Sequence, residues 1–328
     1  MTETVERKAL SREQLLSAYR MMRTIREFEE RVHAEFATGE IPGFVHLYAG
    51  EEASAVGVCI NLDDRDTIAS THRGHGHCIA RGVDVAEMMA EIYGRKSGSC
   101  HGKGGSMHIA DLSKGMLGAN GIVGGGPPLI CGTALAAKIK GTGGVSVAFF
   151  GDGGSNQGTT LESMNLASVW NLPAIFVAEN NGYAETTSST WSVASDNIAD
   201  RAAGFGMPGV IVDGFDFFAV HETASEAVAR ARAGGGPTLI EMKFTRYFGH
   251  FEGDQQTYRA DEVAHARAEL DCLKRFAARV TQTGELTRAD LDAIDAEVAV
   301  LIDKAVKEAQ AGPLPTAADL LTDVYVRY

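Results

Sequence analysis

Val145-Ser-Val-Ala-Phe-Phe150, Gly151-Asp-Gly-Gly-Ser-Asn-Gln-Gly158 and Pro173-Ala-Ile-Phe-Val-Ala178 frame the stretch that decides the fold. The outer runs are short, apolar and rich in β-branched and aromatic residues, as buried strands are. Between them, Thr159 to Trp170 is spaced as a helix. A strand, a helix and a second strand with short links make a βαβ unit, so the two strands are parallel. Gly151-Asp152-Gly153-Gly154 leaves the first strand and Glu179-Asn180-Asn181-Gly182-Tyr183 leaves the second. In an open α/β sheet, ligands sit beyond these carboxyl ends.

The glycine turn offers backbone N–H groups to a diphosphate at a helix start. Asp152 would repel that group unless a cation lay between them. Asp152, the Asn181 amide oxygen and a backbone carbonyl of the second loop make an all-oxygen set of the kind Mg²⁺ takes. The two loops therefore predict a diphosphate held through magnesium.

Outward from this unit, Val210 to Asp213, a helix over 216–233 and Thr238 to Phe244 continue the α/β alternation. Upstream, Ser11 and Gln14 form a capping-box pattern. Leu15, Tyr19, Met22, Ile25, Phe28, Val32 and Phe36 follow as one helical stripe. Helices are expected over 51–60, 85–93 and 127–138, the last packed through Gly132, Ala134, Ala136 and Ala137. Residues 94–126 read as an ordered functional loop, because a plain linker of that length is out of place inside a domain. Two charged amphipathic helices follow residue 261, with a solvated face as their simplest reading. The expected organisation is a loosely ordered 1–10, a ligand-binding domain over 11–260 and a helical extension over 261–328. The fold class is α/β, a doubly wound, mostly parallel sheet with helical extensions at both ends.

Composition narrows the function. The 328 residues carry 30 basic and 43 acidic side chains, a net charge of −13, which leaves no basic footprint for nucleic acid. Mean hydropathy is −0.07, no apolar run reaches membrane-spanning length, and MTETVERKAL has no apolar core of a secretory leader. Five cysteines without CxxC spacing fit core filling in a reducing compartment, so a cytoplasmic protein is expected. Half of the 38 glycines fall between Gly94 and Gly158; clustering beside strands brings backbone close to a ligand. Gly98 to Gly104 has the wrong spacing for a P-loop, and GDGGSNQG is not the GxGxxG of a nicotinamide enzyme. His72, His75, His77 and Cys78 lack the further ligand pair of a zinc module.

GDG, 26 intervening residues (154–179) and then Asn180-Asn181 resemble the thiamine-diphosphate motif. GFVHLYAGEEA (43–53), THRGHG (71–76), GRKSGSCHGKGGSMHI (94–109), GANGIVGGG (118–126) and ENNGYAET (179–186) occur in one family's order. The chain is similar, from about Ser11 onward, to the α subunits of the thiamine-diphosphate-dependent dehydrogenase component of 2-oxo acid and acetoin dehydrogenase complexes. That resemblance implies the diphosphate-binding half of a thiamine-diphosphate fold. It puts magnesium on Asp152, Asn181 and the Tyr183 carbonyl, and the diphosphate on Arg73, Gly153, Gly154 and His250, with Gly151 in the same turn. Gly121 and Val123 would lie beneath the thiazolium ring, His46 would be an active-site histidine, and His72 stands where pyruvate-type relatives carry tyrosine. His46 and His250 are the candidates for proton transfer and for orienting a lipoyl group.

Thiamine chemistry also needs a glutamate from a pyrimidine-binding domain, and no segment here matches one. A β subunit in an α2β2 assembly is the expected source, with a lipoyl-bearing acyltransferase as the next partner. Phe251 and Glu252 occupy the loop where pyruvate-type relatives carry small polar residues, and a phosphorylated serine of some relatives is Phe251 here. An anionic 2-oxo acid is disfavoured beside such groups. The expected activity is cleavage of the neutral ketone acetoin to acetaldehyde, its remaining two carbons passing as acetyl to the lipoyl group. A decarboxylating pyruvate or branched-chain 2-oxo acid dehydrogenase α subunit is the alternative.

Overall fold

A computed structural model describes residues 10–325; the expectation for the first nine residues lies outside them. In chain order the elements are α1 (Arg12–Phe36), α2 (Glu52–Cys59), β1 (Thr67–Ala69), α3 (His75–Ala80), α4 (Val85–Ile92) and β2 (Met116–Gly118). Then come α5 (Gly126–Lys140), β3 (Ser146–Gly151), α6 (Gly158–Val169), β4 (Ala174–Asn180), a small hairpin β5 (Tyr183–Ala184) and β6 (Thr187–Ser188), and α7 (Ser189–Ser192). The remainder is β7 (Gly209–Asp213), α8 (Phe217–Arg232), β8 (Thr238–Lys243), α9 (Ala260–His265), α10 (Cys272–Gln282) and α11 (Arg288–Ala311).

Six strands form one sheet in the order β2-β1-β3-β4-β8-β7, with every neighbouring pair parallel. Strand alternation divides the core into two layers. Val147 and Phe149 of β3, with Ile175 and Val177 of β4, face the larger layer, which includes α1, α2, α8 and α11. Ala148 and Phe150, with Phe176 and Ala178, face the layer under α5 and α6. Ser146 to Gly151 pair in register with Ala174 to Glu179, so the two ligand loops leave the sheet at one level.

α1 starts as the sequence predicts. Gln14 N donates to Ser11 Oγ at 3.2 Å, and Ser11 N to Gln14 Oε1 at 2.9 Å. Its apolar stripe is buried from Leu15 to Val32, and Phe36 is half-buried. Arg26 leaves the same helix inward, donating to both Glu52 oxygens (2.6 and 2.9 Å) and to Asp271 Oδ2 (2.7 Å). One guanidinium thus ties α1, α2 and the start of α10.

Three expectations need correction. β1, β2 and α3 were not foreseen; each is six residues or shorter, below the length at which periodicity is legible. In α5 only Ala134 of the four small residues is buried, while Gly132 and Ala136 face outward. The smallness serves an exposed face rather than the sheet. The tail holds three helices and a π-helical turn over Ala266–Leu270 instead of two helices. α11 buries Leu291, Ile294, Val298 and Ile302, packing back on α1 and α4.

Candidate active site

Four strand ends build the site. Ser70 to Arg73 follow β1, Asn120 to Gly124 follow β2, Gly151 to Gly154 end β3, and Glu179 to Glu185 end β4. Together with His46, Glu51 and His250 they line one cavity of about 340 Å³. Every residue predicted from sequence lies on its wall: His46, His72, Arg73, Gly121, Val123, Gly151, Asp152, Gly153, Gly154, Asn181, Tyr183 and His250. Gly153 shows why glycine is needed here. A Cβ on it would meet Ala184 Cβ at 2.5 Å, so the two ligand loops approach more closely than any side chain allows.

Asp152 is 2% exposed, and its Oδ2 has no hydrogen-bond partner among the described residues. Burial raises its carboxyl to about 6, against the pull of backbone N–H groups at Gly153 and Asp152. Asn181 and Tyr183, the other two expected ligands, are already oriented. Asn181 Nδ2 donates to Glu51 Oε1 at 2.9 Å, which fixes the amide with Oδ1 turned the other way. Arg246, fully buried, donates from Nη1 to that Oδ1 (3.1 Å) and to the Tyr183 carbonyl (2.7 Å). Its Nη2 reaches the Glu185 carbonyl and the Tyr258 hydroxyl. The oxygens assigned to a metal are thus already gathered around a positive charge, and carbonyl oxygens keep a second lone pair for another. An orphaned buried carboxylate oxygen beside two polarised carbonyl-type oxygens suits a hard cation.

Arg73 is buried between two loops, donating to the Leu47 carbonyl and, at 2.9 Å, to the His250 carbonyl. The brace fixes His250 against the segment that carries His46. Three imidazoles gather there: ring centroids lie 4.7 Å apart for His46–His72 and 5.1 Å for each of the other two pairs. Burial, with the Arg73 charge second, lowers His46 to about 3 and His250 to about 4, and holds His72 far below its usual value. All three are neutral at pH 7.

The glycine-rich stretch 94–126 is anchored by a residue the sequence reading passed over. Glu91 of α4 is fully buried. It accepts Cys100 N and Gly102 N on one oxygen (both 2.8 Å) and Gly104 N and Gly105 N on the other (2.7 and 3.1 Å).

A match to the dehydrogenase E1 component family covers residues 20–318. The chain belongs to that family. It is 67% identical over 320 residues to the alpha subunit of acetoin:2,6-dichlorophenolindophenol oxidoreductase of Cupriavidus necator, covering 97% of this chain and 96% of the relative. The Bacillus subtilis protein of the same name is 57% identical over 98% of this chain and 96% of its own length. The alpha subunit of the pyruvate dehydrogenase E1 component of Rhizobium meliloti is 42% identical, covering 96% and 90%. As an E1 dehydrogenase component this chain is part of an oxidoreductase whose coenzyme is thiamine diphosphate.

In this E1 chain two further carboxylates reach the cavity wall unannounced by spacing. Glu51 is driven up to about 8 by burial, although Arg73 opposes the shift. Glu179 also suffers burial, but His77, Tyr48 and Ser54 outweigh it and hold the group below its usual range. Only the adjacency of Glu51 to a motif histidine in HLYAGEE could have signalled either. His75 and His77 are structural. His75 bridges Glu29 and Ser106, each at 3.0 Å, and His77 bridges Ser70 (2.7 Å) and Glu179 (3.1 Å). Glu252 corrects an expectation. Its carboxylate turns to His33 Nδ1 at 2.9 Å on α1, outside the cavity wall, because its backbone N–H is held by the Val45 carbonyl.

Proposed function

We propose that this chain is the α subunit of an acetoin-cleaving dehydrogenase, in which Asp152, Asn181 Oδ1 and the Tyr183 carbonyl would hold Mg²⁺ for the coenzyme's diphosphate. The observation that carries the metal reading is the partnerless Asp152 oxygen, buried on the same wall as the other two ligands. Thiamine diphosphate supplies, when bound, a carbon nucleophile and an electron sink for cleaving the bond beside a carbonyl.

The chain's own residues bind, orient and move protons. Backbone N–H groups of the Gly153-Gly154 turn and the charge of Arg73 hold the diphosphate end. His46 and His250, neutral and on the cavity wall, accept and return the proton of the substrate hydroxyl. Because Arg73 contributes to their low values, an anion beside it raises both toward the working range. Phe44 and Phe251 pack against each other with ring centroids 5.9 Å apart, and the Phe251 ring lies 6.4 Å from that of His46. Rings in that place offer no charge to a carboxylate, which suits a neutral ketone.

The identity gap between the acetoin-named relatives (67 and 57%) and the pyruvate-named one (42%) supports the same substrate. A β subunit supplies the glutamate this chain lacks, giving α2β2, and the acetyl group leaves on the lipoyl arm of an acyltransferase. Ile139 near the end of α5 and Val169 and Trp170 at the end of α6 are exposed, apolar side chains such a partner would cover. The test is kcat/KM for acetoin and pyruvate on the assembled α and β pair. A preference for acetoin is expected; a preference for pyruvate overturns the assignment.

A further inference from the structure

We propose that His46, His72 and His250 form a second metal site, selective for a borderline-soft ion of the Zn²⁺ type and distinct from the oxygen set at Asp152. One ring nitrogen from each histidine lies within 4.8 Å of the others. His46 is 7% exposed, and its Nδ1 is buried with no partner among the described residues. A ring nitrogen so placed is open to a ligand. The contrast with the two other buried histidines of the neighbourhood is direct, since His75 and His77 spend both ring nitrogens on hydrogen bonds. The rings of His46, His72 and His250 instead pack edge-on and tilted against one another.

Three imidazoles with an open fourth position are the donor set of a catalytic-type zinc site, and neutral nitrogen donors discriminate against magnesium. Zn–N bonds near 2.0 Å put tetrahedral nitrogens roughly 3.3 Å apart. The widest pair must therefore close by about 1.5 Å, a movement within the reach of side-chain torsions. The fourth position opens on the cavity, which all three line. Arg73 opposes a cation here. Its guanidinium is committed to the Leu47 and His250 carbonyls, so the repulsion weakens the ion without removing a donor. His72 completes the set; without it only two nitrogens remain.

Zinc in this position occupies the space read above as the diphosphate end of the coenzyme site. Ion and coenzyme then exclude each other, a consequence that rests on that reading, whereas the site itself does not. The test uses the full chain freed of coenzyme and metals. Calorimetric titration with ZnCl₂ is expected to show one ion per chain, weakened by at least about 100-fold in His72→Gln and unchanged in Asp152→Asn. Titration with Co²⁺ is expected to give the intense visible bands of four-coordinate cobalt. X-ray absorption of the zinc-loaded wild type, which needs no variant, is expected to report three nitrogen donors. An oxygen-only coordination, no binding by the wild type, or equal binding by wild type and His72→Gln overturns the site. Zinc affinity unaltered by thiamine diphosphate with Mg²⁺ overturns the exclusion.

Discussion

Asp152 places a carboxylate where the folded chain disfavours charge. Its folded value near 6 lies above the ordinary 3.8, so between about pH 4 and pH 6 the folded state holds the extra proton. Stability therefore falls as pH rises through that window, and the cost stays constant above it. Asp152→Asn in the metal-free chain is expected to be more stable above pH 6, by on the order of 2 kcal/mol, with the two chains converging below about pH 4. Thermal unfolding in EDTA across this range measures it; equal stability at pH 7.5 contradicts the burial account. His250 separates two roles. If it moves protons, His250→Ala lowers kcat by about 100-fold or more with a smaller change in coenzyme affinity, read by steady-state kinetics beside calorimetry. A loss confined to affinity would leave it a diphosphate contact only.

At the scale of elements, Glu91 decides whether the glycine-rich loop is a structure or a tether. It accepts four backbone N–H groups from Cys100 to Gly105. Glu91→Gln turns an NH₂ group against two of those donors, and an expected loss of about 2–4 kcal/mol follows from the unmet hydrogen bonds. Urea unfolding gives the magnitude, and limited proteolysis is expected to cut first between residues 98 and 105. Cleavage elsewhere first contradicts the anchoring role. The same element shows what sequence could and could not disclose. Long periodic segments such as α1, α8 and the strands β3 and β4 were legible because their apolar spacing repeats over several turns or fills a whole strand. β1 and α3 were not, although they carry the THRGHG motif between them. β1 is three residues, and α3 contains Gly76, whose added Cβ would lie 2.1 Å from the Tyr48 ring, so local propensity argues against a helix that tertiary packing imposes. The site itself was legible through backbone-dictated residues, the glycines, Asp152 and Asn181. Arg246, Glu51 and Glu91 escaped because burial of a charge depends on partners distant in sequence, which one chain read alone does not reveal.

At the scale of the whole molecule, the cavity lies over the carboxyl ends of the strands, while the far ends of α5 and α6 carry exposed apolar side chains. Ile139 and Trp170 are 76 and 47% exposed, and Lys138 Nζ, bonded to the Trp170 carbonyl at 2.6 Å, joins the two helix ends that carry them. Ile139→Asp is expected to leave the chain folded by circular dichroism while abolishing co-elution with the β subunit in size-exclusion chromatography. Retained co-elution would move the interface elsewhere. The most direct measurement is calorimetric titration of the assembled enzyme with thiamine diphosphate, in Mg²⁺ and in EDTA, for wild type and Asp152→Asn. The expected result is one coenzyme per α chain, bound at least about 100-fold more tightly with magnesium in the wild type and without magnesium dependence in the variant. Wild-type binding indifferent to magnesium, or a variant that keeps the full dependence, would contradict a cation held by Asp152.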